Sequence, residues 1–459
     1  MQIEKSIFKE YDLRGIADKE LTPESVDCIG RAIGTYFRSK NEKQVILCHD
    51  NRLSSDWMVV TMQSALRSTG CDVTDIGMHP TPLCYYASHK LRISASVMIT
   101  ASHNPAEYNG MKICSEGQSI FGESIRNIQK LAEDESFISG VGTLSFYDSI
   151  EDDYIVDIVE RIQLKRPLSI AVDTGNGSAG PVAVRLYKAL GCKVIPINIE
   201  PDGHYPDHHP DPTIPENMTR LKQAVLEQRL ACGLGMDGDG DRLGVVGNDG
   251  EIIWGDMLQI LYWREIMRHR SGLKALVEVK CSQNLFNEIE RLGGIPFFYK
   301  TGHSLIKAKM RQDCLLFAGE MSGHMFFADE YYGYDDALYA GARLLRILSE
   351  ADETISQLLS DVPRTCVTPE IRIDCPEEEK EGVISYATEY FYKKGFPIET
   401  IDGIRVSFPN GWGLLRKSNT QPIIVMRAEA KTRETLESIV AELQSALSLS
   451  KNQINETKS

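Results

Sequence analysis

Two short segments hold most of the residue types that can do chemistry. Residues 100–105 read T-A-S-H-N-P. The apolar run 95–99 before them predicts a buried strand, and Pro105 bars regular structure from continuing. Ser102 is thereby set at a strand tip, a candidate nucleophile or phosphate carrier with His103 beside it. As sequence neighbours their side chains should diverge, so no hydrolase triad is implied. Alone, the segment reads as a polar turn; its weight depends on partners elsewhere. Residues 236–242 read M-D-G-D-G-D-R. Asp237, Asp239 and Asp241 alternate with glycines and can converge on one cation, and such hard oxygen ligands suit Mg²⁺ or Ca²⁺. Crowded carboxylates repel one another without a cation, which favours metal binding over a plain turn. An EF-hand is rejected, because Arg242 and Asn248 stand where its Gly and Glu belong. The G-x-G-x-x-G at 233–238 is weak, because the acidic run starts inside it and would repel a pyrophosphate.

Two further polar knots follow. In G-E-M-S-G-H, 319–324, Glu320 and Ser322 can hold vicinal hydroxyls and His324 can act as acid or base near neutral pH. The turn R-K-S-N-T, 416–420, gathers Arg416, Ser418, Asn419 and Thr420 before Pro422, a set able to cradle a phosphate. Near the start, Y-D-L-R-G supplies Tyr11 and Arg14 ahead of a flexible glycine. Lys280, Lys300 and His303 are further cationic candidates. The nucleophile elbow, the H-E-x-x-H helix and the Walker A loop are all missing from the sequence.

These side chains need elements to position them. Apolar strands at 44–48, 168–172 and 275–279 each end in a polar turn and run into an amphipathic helix, which argues for α/β units. The style repeats without an exact sequence repeat. Boundaries are expected near 147, 253 and 366, giving segments 1–147, 148–252, 253–365 and 366–459. The last differs in style. It has strand-like pieces at 370–374 and 403–408, a charged run between them, and an amphipathic helix at 432–448. A strand is also expected at 314–318. A chain of 459 residues exceeds one hydrophobic core. Its 42% hydrophobic and 25% charged residues are ordinary for a soluble protein. No apolar run is long enough to span a bilayer, so a cytoplasmic enzyme is expected. The 11 cysteines show no C-x-x-C spacing and are expected reduced and mostly buried. A net charge of −15 argues against nucleic acid or anionic membrane as partner, so an anionic substrate must be captured by local Arg and Lys.

T-A-S-H-N-P, D-G-D-G-D-R, G-E-M-S-G-H and R-K-S-N-T-Q-P occur in this order across the chain. This resembles the α-D-phosphohexomutase superfamily, nearest its bacterial phosphomannomutase/phosphoglucomutase branch. F-K-E-Y-D-L-R-G at the start, the segment 201–217 and T-G-H-S-L-I-K at 301–307 extend the resemblance over nearly the whole chain. It implies four domains around a central cleft, three related α/β domains and a smaller C-terminal phosphatase-related α+β domain. It implies phosphorylation of Ser102, with His103 beside it. Asp237, Asp239 and Asp241 would hold Mg²⁺ together with a phosphoserine oxygen, and Arg242 would lie next to them. Lys112 would be the acid/base residue, aided by Arg14 or His324. Glu320 and Ser322 would grip sugar hydroxyls. Arg416, Ser418, Asn419 and Thr420 would cradle the distal phosphate, with Tyr11, Lys280 and His303 as lesser contacts. The implied reaction interconverts hexose 6-phosphate and hexose 1-phosphate, of mannose or glucose, through a hexose 1,6-bisphosphate that turns in the cleft. The partner is a small phosphosugar, and the chain is expected to be a monomer or weak homodimer.

Three other readings compete. One is phosphoglucosamine mutase, against which Met321 counts modestly. The second is an aspartyl-phosphate phosphatase or mutase using Asp237. The third is a sugar-phosphate or metal-binding module without catalysis, against which every motif position is intact.

Overall fold

The computed structural model describes residues 3–418 and 422–458, with side chains to residue 450. The chain forms two compact units, residues 1–268 with 302–359, and residues 269–301 with 360–459. Elements expected between 253 and 365 thus fall in both units.

The first unit holds two larger sheets. One is seven-stranded, and its central path runs Leu13–Ile16, Tyr108–Ser115, Ala95–Ile99, Gln44–His49, Asp72–Met78, Leu144–Phe146. Its middle strands Ala95–Ile99, Gln44–His49 and Asp72–Met78 are parallel, while Tyr108–Ser115 runs antiparallel to both its neighbours on that path. Every residue of Ala95–Ile99 is buried, as an unbroken apolar run in a covered parallel sheet requires. Helices Pro23–Ser39 and Ser55–Ser68 pack closely at Gly30, where a Cβ would lie 2.6 Å from that of Ala65. Pro23 opens its helix behind a reciprocal cap, with Thr22 N donating to Ser25 Oγ at 2.8 Å and Ser25 N to Thr22 Oγ1 at 3.3 Å. The second sheet has five strands, ordered Ile252–Ile253, Leu243–Gly247, Cys232–Met236, Ser169–Asp173, Lys193–Ile197. A hairpin of Phe317–Gly319 and Met325–Phe327 completes the strands of this unit.

The strand expected at 314–318 begins later than the sequence suggests. Cys314 adopts a left-handed backbone that caps helix His303–Asp313, so the chain cannot extend until past it.

The second unit pairs Lys274–Glu278 with Ile295–Tyr299 in parallel, with helix Gln283–Arg291 between them in sequence. Its larger sheet is six-stranded and antiparallel, built on Ile404–Phe408, Gly411–Lys417 and Ile423–Ala430. Helices Lys380–Lys393 and Arg433–Lys458 bury Val383, Ala387, Phe391 and Leu443 against this sheet. Burying side chains the size of Val383, Phe391 and Leu443 is worth about 1.5–3 kcal/mol each. The final helix runs ten residues beyond the expected end at 448. Among the described residues the 11 cysteines form no disulfide, and of them Cys314 alone is exposed.

Candidate active site

The strand tip at Ile99 delivers Ser102 into a left-handed turn, with φ at 51°. Thr100 Oγ1 accepts from Ser102 N at 2.9 Å, and Asn104 N donates to Ala101 O at 3.0 Å. A non-glycine residue in this conformation is held by its surroundings. Arg52 is the chief holder. Its Nη1 donates to Pro105 O at 2.7 Å and Tyr108 O at 2.9 Å. Its Nη2 donates to Ser102 O at 2.6 Å and Asn104 O at 2.7 Å. Four carbonyls between Ser102 and Tyr108 thus converge on a single arginine that is 1% exposed. Asp50 Oδ2 lies 3.2 Å from Arg52 Nε and neutralises it.

The expectation that Ser102 and His103 diverge is corrected. The left-handed turn swings the two side chains together, and Ser102 Oγ lies 3.2 Å from His103 Nδ1. Burial, with Arg242 and Arg14 nearby, holds the His103 imidazole well below its ordinary pKa, so it is neutral at physiological pH.

Asp237, Asp239 and Asp241 occupy the turn between strands Cys232–Met236 and Leu243–Gly247. Gly238 is required there, because a Cβ would lie 2.6 Å from Ser102 O. Ser102 Oγ donates to Asp237 Oδ2 at 2.6 Å. Asp237 Oδ1 accepts from the backbone N–H groups of Asp241 and Arg242, both at 3.1 Å. Asp239 Oδ2 accepts from Lys112 Nζ and Thr81 Oγ1, each at 2.6 Å. Lys112 also donates to Asp241 Oδ2. Asp241 Oδ1 lies 3.2 Å from His324 Nε2, whose Nδ1 is 2.8 Å from Glu320 Oε2. Burial and repulsion from Asp241 and Asp239 push Asp237 well above the usual carboxylate range. Burial acts the same way on Asp241, but Lys112 and His324 outweigh it and hold Asp241 well below. Burial likewise opposes protonation of Lys112 and His324. The carboxylates win at both, raising Lys112 and bringing His324 to about 9.

Each of the three aspartates offers a carboxylate oxygen within 4.8 Å of the others'. Asp239 Oδ1 is buried and accepts no hydrogen bond. An unpartnered buried oxygen is costly, and a hard cation is the partner it suits. The donor set therefore fits a divalent metal ion.

The remaining candidates of the first unit lie around this cluster. Arg14 sits opposite Gly110 on the strand bearing Lys112 and donates to Asn104 Oδ1 at 2.8 Å. Tyr11 packs edge-on to His303, with ring centroids 6.3 Å apart. His303 stacks on His324 at 5.6 Å, and Ser322 Oγ is 3.4 Å from His324 Nδ1. Glu320 Oε1 accepts from Gly302 N at 2.8 Å. In the second unit, Lys280 bonds Glu370 at 2.9 Å, and Arg416 Nε donates to Asp402 Oδ2 at 3.0 Å. Ser418 is buried, and its carbonyl accepts from Lys380. Asn419 and Thr420 lie outside the described residues. Sequence reasoning missed Arg52, Asp50 and Thr81. The turn H-D-N-R-L after the strand at 44–48 carried the first two, but nothing local says that an arginine there reaches 50 residues ahead.

A strand-tip serine bonded into a buried tri-aspartate turn, with lysine and histidine counter-charges, is the equipment of a phosphoryl-transfer enzyme. The chain belongs to the phosphoglucomutase/phosphomannomutase family, matching its alpha/beta/alpha domain I at residues 5–139, domain II at 145–250, domain III at 254–366 and C-terminal domain at 370–446. It is 43% identical to a phosphomannomutase/phosphoglucomutase of Pseudomonas aeruginosa, over 95% of this chain and 94% of that one. It is 41% identical to a phosphoglucomutase of Neisseria gonorrhoeae, over 95% of each. A crystal structure of a phosphoglucomutase/phosphomannomutase family protein from Burkholderia thailandensis superposes with a TM-score of 0.93 at 40% identity, covering 98% of both chains.

Proposed function

We propose that the protein is a phosphohexomutase interconverting hexose 6-phosphate and hexose 1-phosphate, with mannose, glucose or both as the sugar. The observation that carries this reading is the 2.6 Å bond from Ser102 Oγ into the aspartate turn. Ser102 carries the phosphoryl group. Its P–O bond breaks as a new P–O bond forms to a hydroxyl of the bound hexose monophosphate, giving a hexose 1,6-bisphosphate. The bisphosphate turns and returns its other phosphate to Ser102.

One proton moves with each transfer. The sugar hydroxyl loses it, and Ser102 Oγ gains one as its ester is cleaved. His103, neutral and within reach of that oxygen, can relay it. Lys112, with Arg14 or His324, is the proposed carrier at the hydroxyl. Glu320 and Ser322 are the proposed grip on ring hydroxyls. Arg416, Ser418, Asn419 and Thr420, with Lys280, Arg242, Tyr11 and His303, are the proposed contacts for phosphate and sugar. Asp237, Asp239 and Asp241 would hold Mg²⁺, which supplies positive charge against the phosphoryl oxygens.

The division into four domains at 147, 252 and 365 belongs to the same reading, supported by the four family segments. A cytoplasmic location and a monomer or weak homodimer are further parts of it. Among the described residues no helix is long and apolar enough to cross a membrane.

Intact mass spectrometry with peptide mapping tests the mechanism. A species heavier by one phosphate, mapped to Ser102 and absent from Ser102→Ala, is expected. That variant should lose at least about a thousandfold in turnover, as when a nucleophile is removed. Labelling that survives Ser102→Ala and vanishes in Asp237→Asn would move the phosphate to the aspartate and sink the proposal. Fastest turnover of glucosamine 6-phosphate would overturn the choice of sugar.

A further inference from the structure

A cavity of about 740 Å³ lies in the first unit, and none of its lining residues is a candidate site residue named above. Its size is that of a small-molecule pocket. Three cationic side chains, Arg92, Lys307 and Arg311, line it, and no Asp or Glu does. In a chain of net charge −15 that sorting is unusual. Lys307 is paired, with Asp335 Oδ1 at 2.7 Å. Arg92 and Arg311 are exposed, and neither has an ion pair or a side-chain hydrogen bond among the described residues. The rest of the wall mixes apolar and aromatic side chains with the polar Ser88, Ser94, Gln118, Ser119 and Ser304. It includes Ile93, Met310 and Leu316, and the ring of His89 stacks on Tyr332 at 4.5 Å. Two arginines without side-chain partners beside apolar and aromatic wall residues suit an organic anion, its head group forked by arginine and its body on the rings.

The cavity also shares its framework with the catalytic cluster. Helix Thr81–Leu91 bonds Asp239 through Thr81 and lines the cavity with Tyr85 and His89, four and eight residues on. Helix His303–Asp313 places His303 beside His324 and, at the same spacing, Lys307 and Arg311 in the cavity. Residues four apart share a helix face. Strand Tyr108–Ser115 sends Lys112 to the aspartates and Cys114, two residues on, to the cavity. Lys307 joins the two sites directly. The other oxygen of its partner Asp335 lies 3.2 Å from His303 Nδ1.

We propose that this cavity is a second ligand site for a small organic anion with an apolar ring body, coupled to the catalytic cluster through Lys307 and Asp335. An anion that draws Lys307 away from Asp335 alters the charge facing His303, and through it His324.

Anilinonaphthalene sulfonate, an aryl anion of this kind, is the probe. Its fluorescence titration with the full chain should saturate at one site, and Arg92→Glu/Arg311→Glu should weaken binding at least tenfold. Both arginines are exposed and their side chains make no hydrogen bond or ion pair among the described residues, so the double variant should keep its fold and its basal mutase rate. Bound probe should slow modification of Cys314, which lines the cavity, by a thiol reagent. Saturating probe should change kcat for a hexose phosphate. Equal affinity in wild type and double variant, or an unprotected Cys314, would overturn the site. Purely competitive inhibition, or an unchanged kcat at saturation, would overturn the coupling. The fluorescence and thiol readouts need no turnover, so they judge the site even if the proposed mutase activity fails.

Discussion

At the scale of single residues, the proposed role of Ser102 makes Arg52 a testable support. Its guanidinium holds four carbonyls between Ser102 and Tyr108, a planar task that an ammonium cannot copy. Arg52→Lys should keep the charge opposite Asp50 yet loosen the loop, lowering kcat more than it raises KM. Arg52→Met should also strand the Asp50 carboxylate and destabilise the protein by about 3–5 kcal/mol. Thermal unfolding alongside steady-state kinetics separates the two effects. A lysine variant with wild-type kcat would show that the loop holds itself. Arg52 was hard to see in the sequence because its partners are backbone carbonyls, which have no residue type. Ser102, the three aspartates and His324 were legible because their chemistry lies in their side chains and their spacing is short. The meeting of Ser102 with His103 was misjudged, because a left-handed residue reverses the rule that neighbouring side chains part.

At the scale of elements, strand Tyr108–Ser115 is the part that tolerates least. Gly110 is pressed between neighbours, and a Cβ there would come 2.1 Å from Leu13 O and 3.0 Å from Thr100 O. Gly110→Ala should push the strand off its partners, costing about 1–3 kcal/mol as overpacking does. Turnover should fall further than stability, because Arg14 pairs opposite Gly110 and Lys112 lies two residues on. Chemical denaturation and kcat measured on the same sample check this; a fall in stability with unchanged turnover would refute the second half. Strands were legible wherever an apolar run was short and bounded. The run 95–99 was read to the residue, and that at 44–48 lengthens by one. The run at 314–318 was misread because Cys314 belongs to a helix cap, which hydrophobicity does not report.

At the scale of the whole molecule, the aspartate turn ties stability to metal. If a divalent ion binds the folded chain alone, Mg²⁺ at a hundredfold over its dissociation constant adds about 2.7 kcal/mol. A chelator should therefore lower the melting temperature and stop turnover, and Asp239→Asn should blunt both responses. Equal melting curves with and without Mg²⁺ would argue against the site. His79 should be one of the groups through which acid acts. Burial, with His49 nearby, lowers it from the usual 6.5 to about 4. Between these values the unfolded chain binds the proton and the folded chain does not, so stability falls as pH drops through that window. The loss is at most about 3 kcal/mol, and His79→Gln should remove it. A variant whose stability falls as steeply as wild type would clear His79 of the effect.

The second unit takes its chain from two separated stretches, 269–301 and 360–459. During synthesis the pair of strands Lys274–Glu278 and Ile295–Tyr299 emerges well before the sheet that shares its unit. Arg405, which donates to Val279 O and Cys281 O, is translated more than a hundred residues later. At ribosomal speeds of about 5–20 residues per second, that early segment waits several to tens of seconds without its companion. The interval is one in which a nascent chain offers apolar strand edges to a chaperone, or to a neighbouring copy of itself.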